Sequence, residues 1–236
     1  MKLQVEKIHK SFGVNEVLKS IDLLFKEGKT TAVLGPNGSG KTTLIKSVLN
    51  IVIPDKGDIK IGDQSTKNQW LYKAQINYLP QIARFPDNLR LRELIQMIKD
   101  IRGATDRDLY LAELFKLSSF MNYRMSHLSG GTRQKANIVL ALMYDNPILI
   151  LDEPSTGLDP ASLIRFKDLI HEEKKKNKTI LINTHIMSLV EDLADEIVFL
   201  LEGHIHFSGS VNELKEKYDE QNLERAIAKI LDTEDV

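Results

Sequence analysis

Two passages of this chain have the residue types and spacing to handle phosphate: Gly35-Pro36-Asn37-Gly38-Ser39-Gly40-Lys41-Thr42-Thr43 and Leu128-Ser129-Gly130-Gly131-Thr132. The first follows Thr30-Thr31-Ala32-Val33-Leu34, a β-branched and apolar run that reads as a buried strand. Glycines let such a loop turn tightly and aim successive N–H groups inward, and the helix after it sets the positive end of its dipole beneath an anion. Lys41 is placed to reach terminal phosphates and Thr42 to offer its hydroxyl to Mg²⁺. A glycine-rich turn that binds nothing is the alternative, and Lys41-Thr42 at its close argues against it.

A second buried-strand run, Pro147-Ile148-Leu149-Ile150-Leu151, delivers Asp152 and Glu153 to its carboxyl end, the edge at which open parallel sheets bind ligands. Asp152 is a hard oxygen ligand suited to Mg²⁺. Glu153 is placed to orient or deprotonate a water. The pair could instead cap a turn, and the upstream phosphate loop favours the chemical reading. Ser129 suits a helix N-cap, followed by two glycines and the largely apolar Gln134, Ala136, Ile138, Val139, Leu140, Ala141 and Leu142, so the helix start is a second anion site.

The order and spacing of these motifs resemble those of the nucleotide-binding subunit of ABC transporters, from about Leu3 to Leu214. The resemblance adds a glutamine switch at Gln81 after Tyr78-Leu79-Pro80, a loop Ser155-Thr156-Gly157-Leu158-Asp159 after the glutamate, and a histidine switch at His185 beyond the apolar run Thr179-Ile180-Leu181-Ile182-Asn183. It implies that Ser129, Gly130 and Gly131 complete the ATP site of a second copy, while Lys41, Glu153 and His185 act in their own. It implies Mg²⁺ at Thr42, Gln81 and Asp152, coupling through Gln81 and Asp159, and Phe12 stacked on the base. The expected partners are a second copy and an integral membrane permease, with the chain cytoplasmic and peripheral on the inner face of the cell membrane. Within the family, Tyr78 to Pro86, Leu200-Leu201-Glu202-Gly203 and Ser129 to Lys135 look like the ATPase subunits associated with nitrous-oxide reductase maturation. That likeness implies a periplasmic maturation protein reached through the permease, with sulfur-species delivery or copper-site assembly as the task. Thr132 departs from the commoner glutamine of the wider family.

The resemblance implies an α/β fold, a P-loop NTPase of ABC type, to position these groups. The strands ending near Leu34, Leu79, Leu151 and Asn183 read as a mostly parallel sheet flanked by helices. Alternating segments in 1–28 and 57–62, such as Val17 to Leu23, read as an antiparallel β edge. Between Gln81 and Ser129 the pattern turns helical: Leu91, Leu94, Ile95 and Ile98 share a face that Gly103 closes, and Thr105 with Asp108 could cap a further helix through Phe115. The expected layout is a single ATPase domain over 1–215, with a helical lobe at about 82–135 inserted in the ATP-binding core, and a charged helical tail over 216–236. Ile197 to Leu201 and His204 to Phe207 read as a hairpin, and the groove by Gln81, with Ile82, Phe85 and Leu89, as the docking area for a membrane subunit.

Composition fits and excludes. With 32 basic and 33 acidic residues in 236, no broad field calls for nucleic acid. Hydrophobic content of 42% supports one substantial core. The absence of cysteine removes disulfides and thiolate metal sites. No run reaches the length of a spanning helix, about 20 apolar residues, so a transport path would need another subunit. His204 and His206 would share a face of a regular strand, yet two histidines make a poor copper site. Lys174-Lys175-Lys176 reads as a solvated helix end. A soluble ABC ATPase that remodels protein or nucleic acid would carry the same catalytic motifs, although such chains often join two ATPase units.

Overall fold

The computed structural model describes residues 1–234. Two sheets carry the fold. The smaller, in the order β2-β1-β4-β5, joins β1 (Leu3–Phe12), β2 (Asn15–Phe25), β4 (Lys56–Ile61) and β5 (Gln64–Ser65), all antiparallel. The larger runs β10-β9-β3-β8-β7-β6, comprising β3 (Thr30–Leu34), β6 (Ile76–Leu79), β7 (Ile148–Asp152), β8 (Thr179–Asn183), β9 (Glu196–Leu201) and β10 (His204–Ser210). Its neighbours are parallel except for the β9-β10 hairpin. The sheet is mostly parallel, as read, and the antiparallel strands form a sheet of their own beside it.

Every residue of β3, β7 and β8 is buried, and burial of both faces explains why these strands read as continuous apolar runs. Val33, Ile148, Ile150 and Leu181 face a core shared with the small sheet and with α1 (Lys41–Val48). Leu149, Leu151, Ile180 and Ile182 face the opposite core, built by α2 (Leu91–Arg102), α3 (Arg107–Leu114), α4 (Gly130–Leu142), α5 (Pro160–Lys175) and α6 (Met187–Leu193). Each aliphatic side chain so enclosed contributes about 1.5–3 kcal/mol relative to exposure.

Helix boundaries follow local chemistry with one exception. Gly103 ends α2 and Ser129 caps α4, accepting from Thr132 N–H at 3.3 Å. The capping pair expected of Thr105 and Asp108 does not form. Thr105 Oγ1 accepts from Arg107 N–H and donates to the Met143 carbonyl, while Asp108 is buried in an ion pair with Lys99 of α2 at 2.7 Å. The long-range pair outcompetes the local cap. The lysines that close α5 are not all solvated either, since Lys174 reaches Asp195 at 2.7 Å.

Beyond Ser210 lie α7 (Val211–Lys217) and α8 (Leu223–Glu234). The stretch read as a charged tail buries one face: Leu223, Ala226 and Ile230 pack with Ala32, Leu34, Ile197 and Phe199 on the large sheet. Their spacing of three and four is the amphipathic stripe that charge masks in the sequence. In β10 the register slips between Ile205 and Phe207, leaving His206 at a bulge, so the strict alternation that would give His204 and His206 one face is broken.

Candidate functional site

Strand β3 ends at Leu34, and the chain then makes a loop that only glycine can close. Gly35 has φ 143°, and a Cβ there would lie 2.0 Å from the Leu200 carbonyl oxygen of β9. Gly40, at the N-cap of α1 with φ 108°, also lies close to the Val17 carbonyl of β2, 2.9 Å from where a Cβ would sit. The loop is thus wedged between both sheets, with Ser39 buried and the first turn of α1 opening onto a cleft. Phe12, Val17, Asn37, Gly38, Gly40, Lys41, Thr42, Thr43, Gln81, Glu153 and Asn183 line this cleft. Phe12 is half exposed at its rim, with Lys10 Nζ 5.3 Å from the ring, and is not a core aromatic.

Lys41 Nζ donates to the carbonyls of Gly35 and Pro36, both at 2.8 Å. Burial lowers its pKa, opposed by the negative charges of Glu153 and Asp152. The Asp152 carboxyl is pushed up, first by burial and also by Glu153, against a hydrogen bond that Asn183 Nδ2 donates to its Oδ1 at 2.6 Å. A buried carboxylate held this way gains from a cation beside it. With Thr42 and Gln81 on the same cleft, the donors present are oxygens, the set that Mg²⁺ prefers.

Glu153 follows in the left-handed region, φ 50°, a strained backbone for a side chain of its size. Pairing with β8 holds it there, since Glu153 N–H donates to the Asn183 carbonyl at 2.8 Å. Its carboxylate is buried and accepts from two consecutive residues beyond β8: Thr184 Oγ1 at 3.3 Å and His185 Nδ1 at 2.8 Å. A carboxylate only accepts, so Nδ1 carries the proton and Nε2 is left for a further partner. That nitrogen donates to a phosphate only from the doubly protonated ring. His185 itself is largely exposed.

The chain therefore gathers Phe12, the glycine-rich loop, Gln81, Asp152, Glu153 and His185 in one place. Ser129, Gly130 and Gly131 are not among the residues lining that cleft. They start α4 elsewhere, tied to the loop after Glu153: Gln134 Nε2 donates to the Pro154 carbonyl at 2.9 Å, and a Cβ on Gly131 would come 2.8 Å from the Gly157 carbonyl oxygen. Asp159 ends this loop as the N-cap of α5, accepting from the Ser162 N–H and from the Ser162 hydroxyl, both at 2.8 Å. The two Ser162 bonds hold its carboxyl low, at about 2. Asn183, Thr184, Val17 and Gln134 were not singled out in the sequence. Their contacts arise from strand and helix pairing, and only Asn183 and Thr184, next to His185, carried a positional hint.

A second groove is lined by Ile82, Ala83, Arg84, Phe85, Asp87, Met125 and Arg133. Phe85 and Leu89 both pack against the helical core, and Leu89 does not line the groove. Among the described residues no group of three or more His, Cys, Asp or Glu side chains is placed to hold a metal, and no helix is long and apolar enough to cross a membrane.

Comparison with known proteins places this arrangement. Residues 18–156 match the family model for ABC transporters. The chain is 30% identical over 220 residues to an uncharacterized ABC transporter ATP-binding protein, YxlF, of Bacillus subtilis (strain 168), covering 91% of this chain and 73% of that protein. It is 31% identical over 225 residues to the L-cystine import ATP-binding protein TcyN of the same organism, covering 90% and 87%. Among solved structures, the ATP-binding subunit of an ABC transporter superposes with a TM-score of 0.91 at 26% identity, covering 98% of this chain and 100% of that one.

Proposed function

The chain belongs to the ABC transporter family as an ATP-binding subunit that hydrolyses ATP, and from that premise we propose that it works as a pair of identical chains closing around two Mg-ATP to drive a separate membrane permease. The observation that carries the reading is the separation of the two phosphate elements. One cleft holds Lys41, Thr42, Gln81 and Glu153, while the capped, glycine-opened start of α4 stands apart from it. A helix start with an N-cap hydroxyl and two glycine N–H groups is built for an anion, and a second copy's terminal phosphate is the anion that a head-to-tail pair would bring.

Within each site the roles follow from the contacts. Lys41 exchanges the Gly35 and Pro36 carbonyls for phosphate oxygens, a charge-assisted contact. Thr42, Asp152 and Gln81 would hold Mg²⁺, which supplies charge neutralisation across the phosphates when bound. Glu153, buried and fixed by Thr184 and His185, accepts the proton of the attacking water, and His185 holds the terminal phosphate in line with it. Phe12 stacks on the base. Asp159 fixes the loop that ties the catalytic glutamate to the start of α4.

In this reading the groove at Ile82 and Phe85 docks the permease, with the chain at the inner face of the cell membrane. Ile82 is 70% exposed there, directly after Gln81, so a group pressed into the groove lies one residue from the nucleotide cleft. For the transported cargo, the local patterns Tyr78 to Pro86 and Leu200 to Gly203 support a role in nitrous-oxide reductase maturation, through sulfur-species export or copper-site assembly with a periplasmic protein. Another exporter, or a soluble ABC ATPase, is the alternative; the relatives include an L-cystine import ATP-binding protein. Capture of the tagged chain from native membranes is the test. A permease should copurify with the wild type and be lost with Ile82→Asp. Recovery of nucleic acid in its place would contradict the transporter reading.

A further inference from the structure

At the start of α4 the Ser129 hydroxyl has an unusual neighbour. Ser129 Oγ lies 2.9 Å from Thr132 Oγ1 and also accepts from Thr132 N–H at 3.3 Å. Both contacts come from one residue, three positions on. Thr132 is 8% exposed, so water has little access to its hydroxyl.

A serine hydroxyl has one proton to give and two lone pairs to fill. The Thr132 N–H occupies one lone pair. If Thr132 Oγ1–H occupies the other, Ser129 can act only as a donor, and its proton must leave the helix on the side where the first-turn N–H groups of Gly130 and Gly131 also point. In the reverse arrangement Ser129 would turn its proton inward onto Thr132, which would leave an oxygen lone pair facing an incoming phosphate. An anion at the helix start selects the first arrangement, because it stabilises a donor and repels a lone pair. Two hydroxyls in series also polarise each other, so the outward O–H becomes a stronger donor than an isolated serine would supply.

We infer that Thr132 is a positioning residue for the trans-acting site: its hydroxyl fixes the proton of Ser129 toward the terminal phosphate held by the partner chain. The inference rests on the reading that Ser129 completes the partner's site. It also gives a physical role to the position at which this chain departs from the commoner glutamine. Thr132 itself touches no nucleotide. Its effect passes through one oxygen atom.

The test uses the full-length chain in steady-state ATP hydrolysis, with nucleotide binding to the single chain measured separately. Thr132→Val removes the hydroxyl and keeps the backbone N–H and the buried shape. It should lower kcat about fivefold, the loss of one ordinary hydrogen bond, and leave single-chain ATP affinity within about twofold of wild type. Thr132→Ser should return kcat to within about twofold of wild type. In a Ser129→Ala background, Thr132→Val should add nothing, because the atom it orients is gone. If Thr132→Val unfolds, Thr132→Ala carries the same comparison. Wild-type kcat in the valine variant, with Ser129→Ala impaired, would overturn the positioning role and leave the composite site standing, as would failure of serine to rescue. An unimpaired Ser129→Ala would instead remove the underlying reading, and the inference with it.

Discussion

Glu153 combines three properties that seldom coincide: a positive φ, a buried carboxylate and hydrogen bonds from two consecutive residues, Thr184 and His185. Such over-determination holds a group still at the moment of proton transfer, and strain of this kind clusters at functional sites. Replacing it with glutamine keeps the shape and removes the base. Glu153→Gln should therefore retain ATP and lose about a hundredfold or more in turnover, the effect of about 3 kcal/mol. Lys41→Ala should lose nucleotide binding itself, and equilibrium binding beside single-turnover rates separates the two defects. Near-normal turnover in Glu153→Gln would remove it from the role. At this scale the sequence was highly legible, because Lys41, Asp152, Glu153 and His185 each stand at the end of an apolar strand or loop of recognisable type. Asn183 and Thr184 were not, because their importance comes from β7-β8 pairing, which sets Asp152 opposite Asn183.

Among the elements, α3 and α5 meet through a buried ion network that joins the helical lobe to the core. Glu173, 1% exposed on α5, takes Arg107 of the α3 start at 2.6 Å, Lys176 at 2.9 Å and Lys178 at the entry to β8. Burial alone would raise the Glu173 carboxyl, and the hydrogen bonds of Arg107, Lys178 and Lys176 outweigh it, holding it at about 2. A carboxyl lowered in the folded state contributes stability that is present above its ordinary value of 4.5 and is lost as pH falls through about 2. Urea unfolding should thus weaken over that interval in the wild type, and Glu173→Gln should flatten that part of the profile. Glu173→Ala strands buried cations and should cost about 3–5 kcal/mol at neutral pH. An unchanged acid profile in Glu173→Gln would count against the network. None of this was visible in the sequence, where Lys174-Lys175-Lys176 reads as a solvated end and Arg107 is one charge among many. The same blindness to distant partners produced the capping pair at Thr105 and Asp108, and the charge of α8 hid the stripe of Leu223, Ala226 and Ile230. Where burial takes in every residue of a short apolar run, as in β3, β7 and β8, sequence and structure agree to within a residue.

For the whole molecule, the proposed pairing turns on the Lys41 loop and the start of α4, which do not line one cleft. The loop after Glu153 lies between them, bonded from Gln134 to Pro154 and closely approached by Gly131 at Gly157. In the proposed head-to-tail pair each chain would serve its own nucleotide with Lys41 and its partner's with Ser129. The most direct measurement mixes Lys41→Ala, which loses nucleotide binding, with the strongly impaired Ser129→Ala, and follows ATP hydrolysis after heterodimers have been demonstrated. A mixed pair keeps one whole site, built from the intact loop of the Ser129 variant and the intact helix start of the Lys41 variant, so activity should return. Proven heterodimers that stay inactive would contradict the shared site.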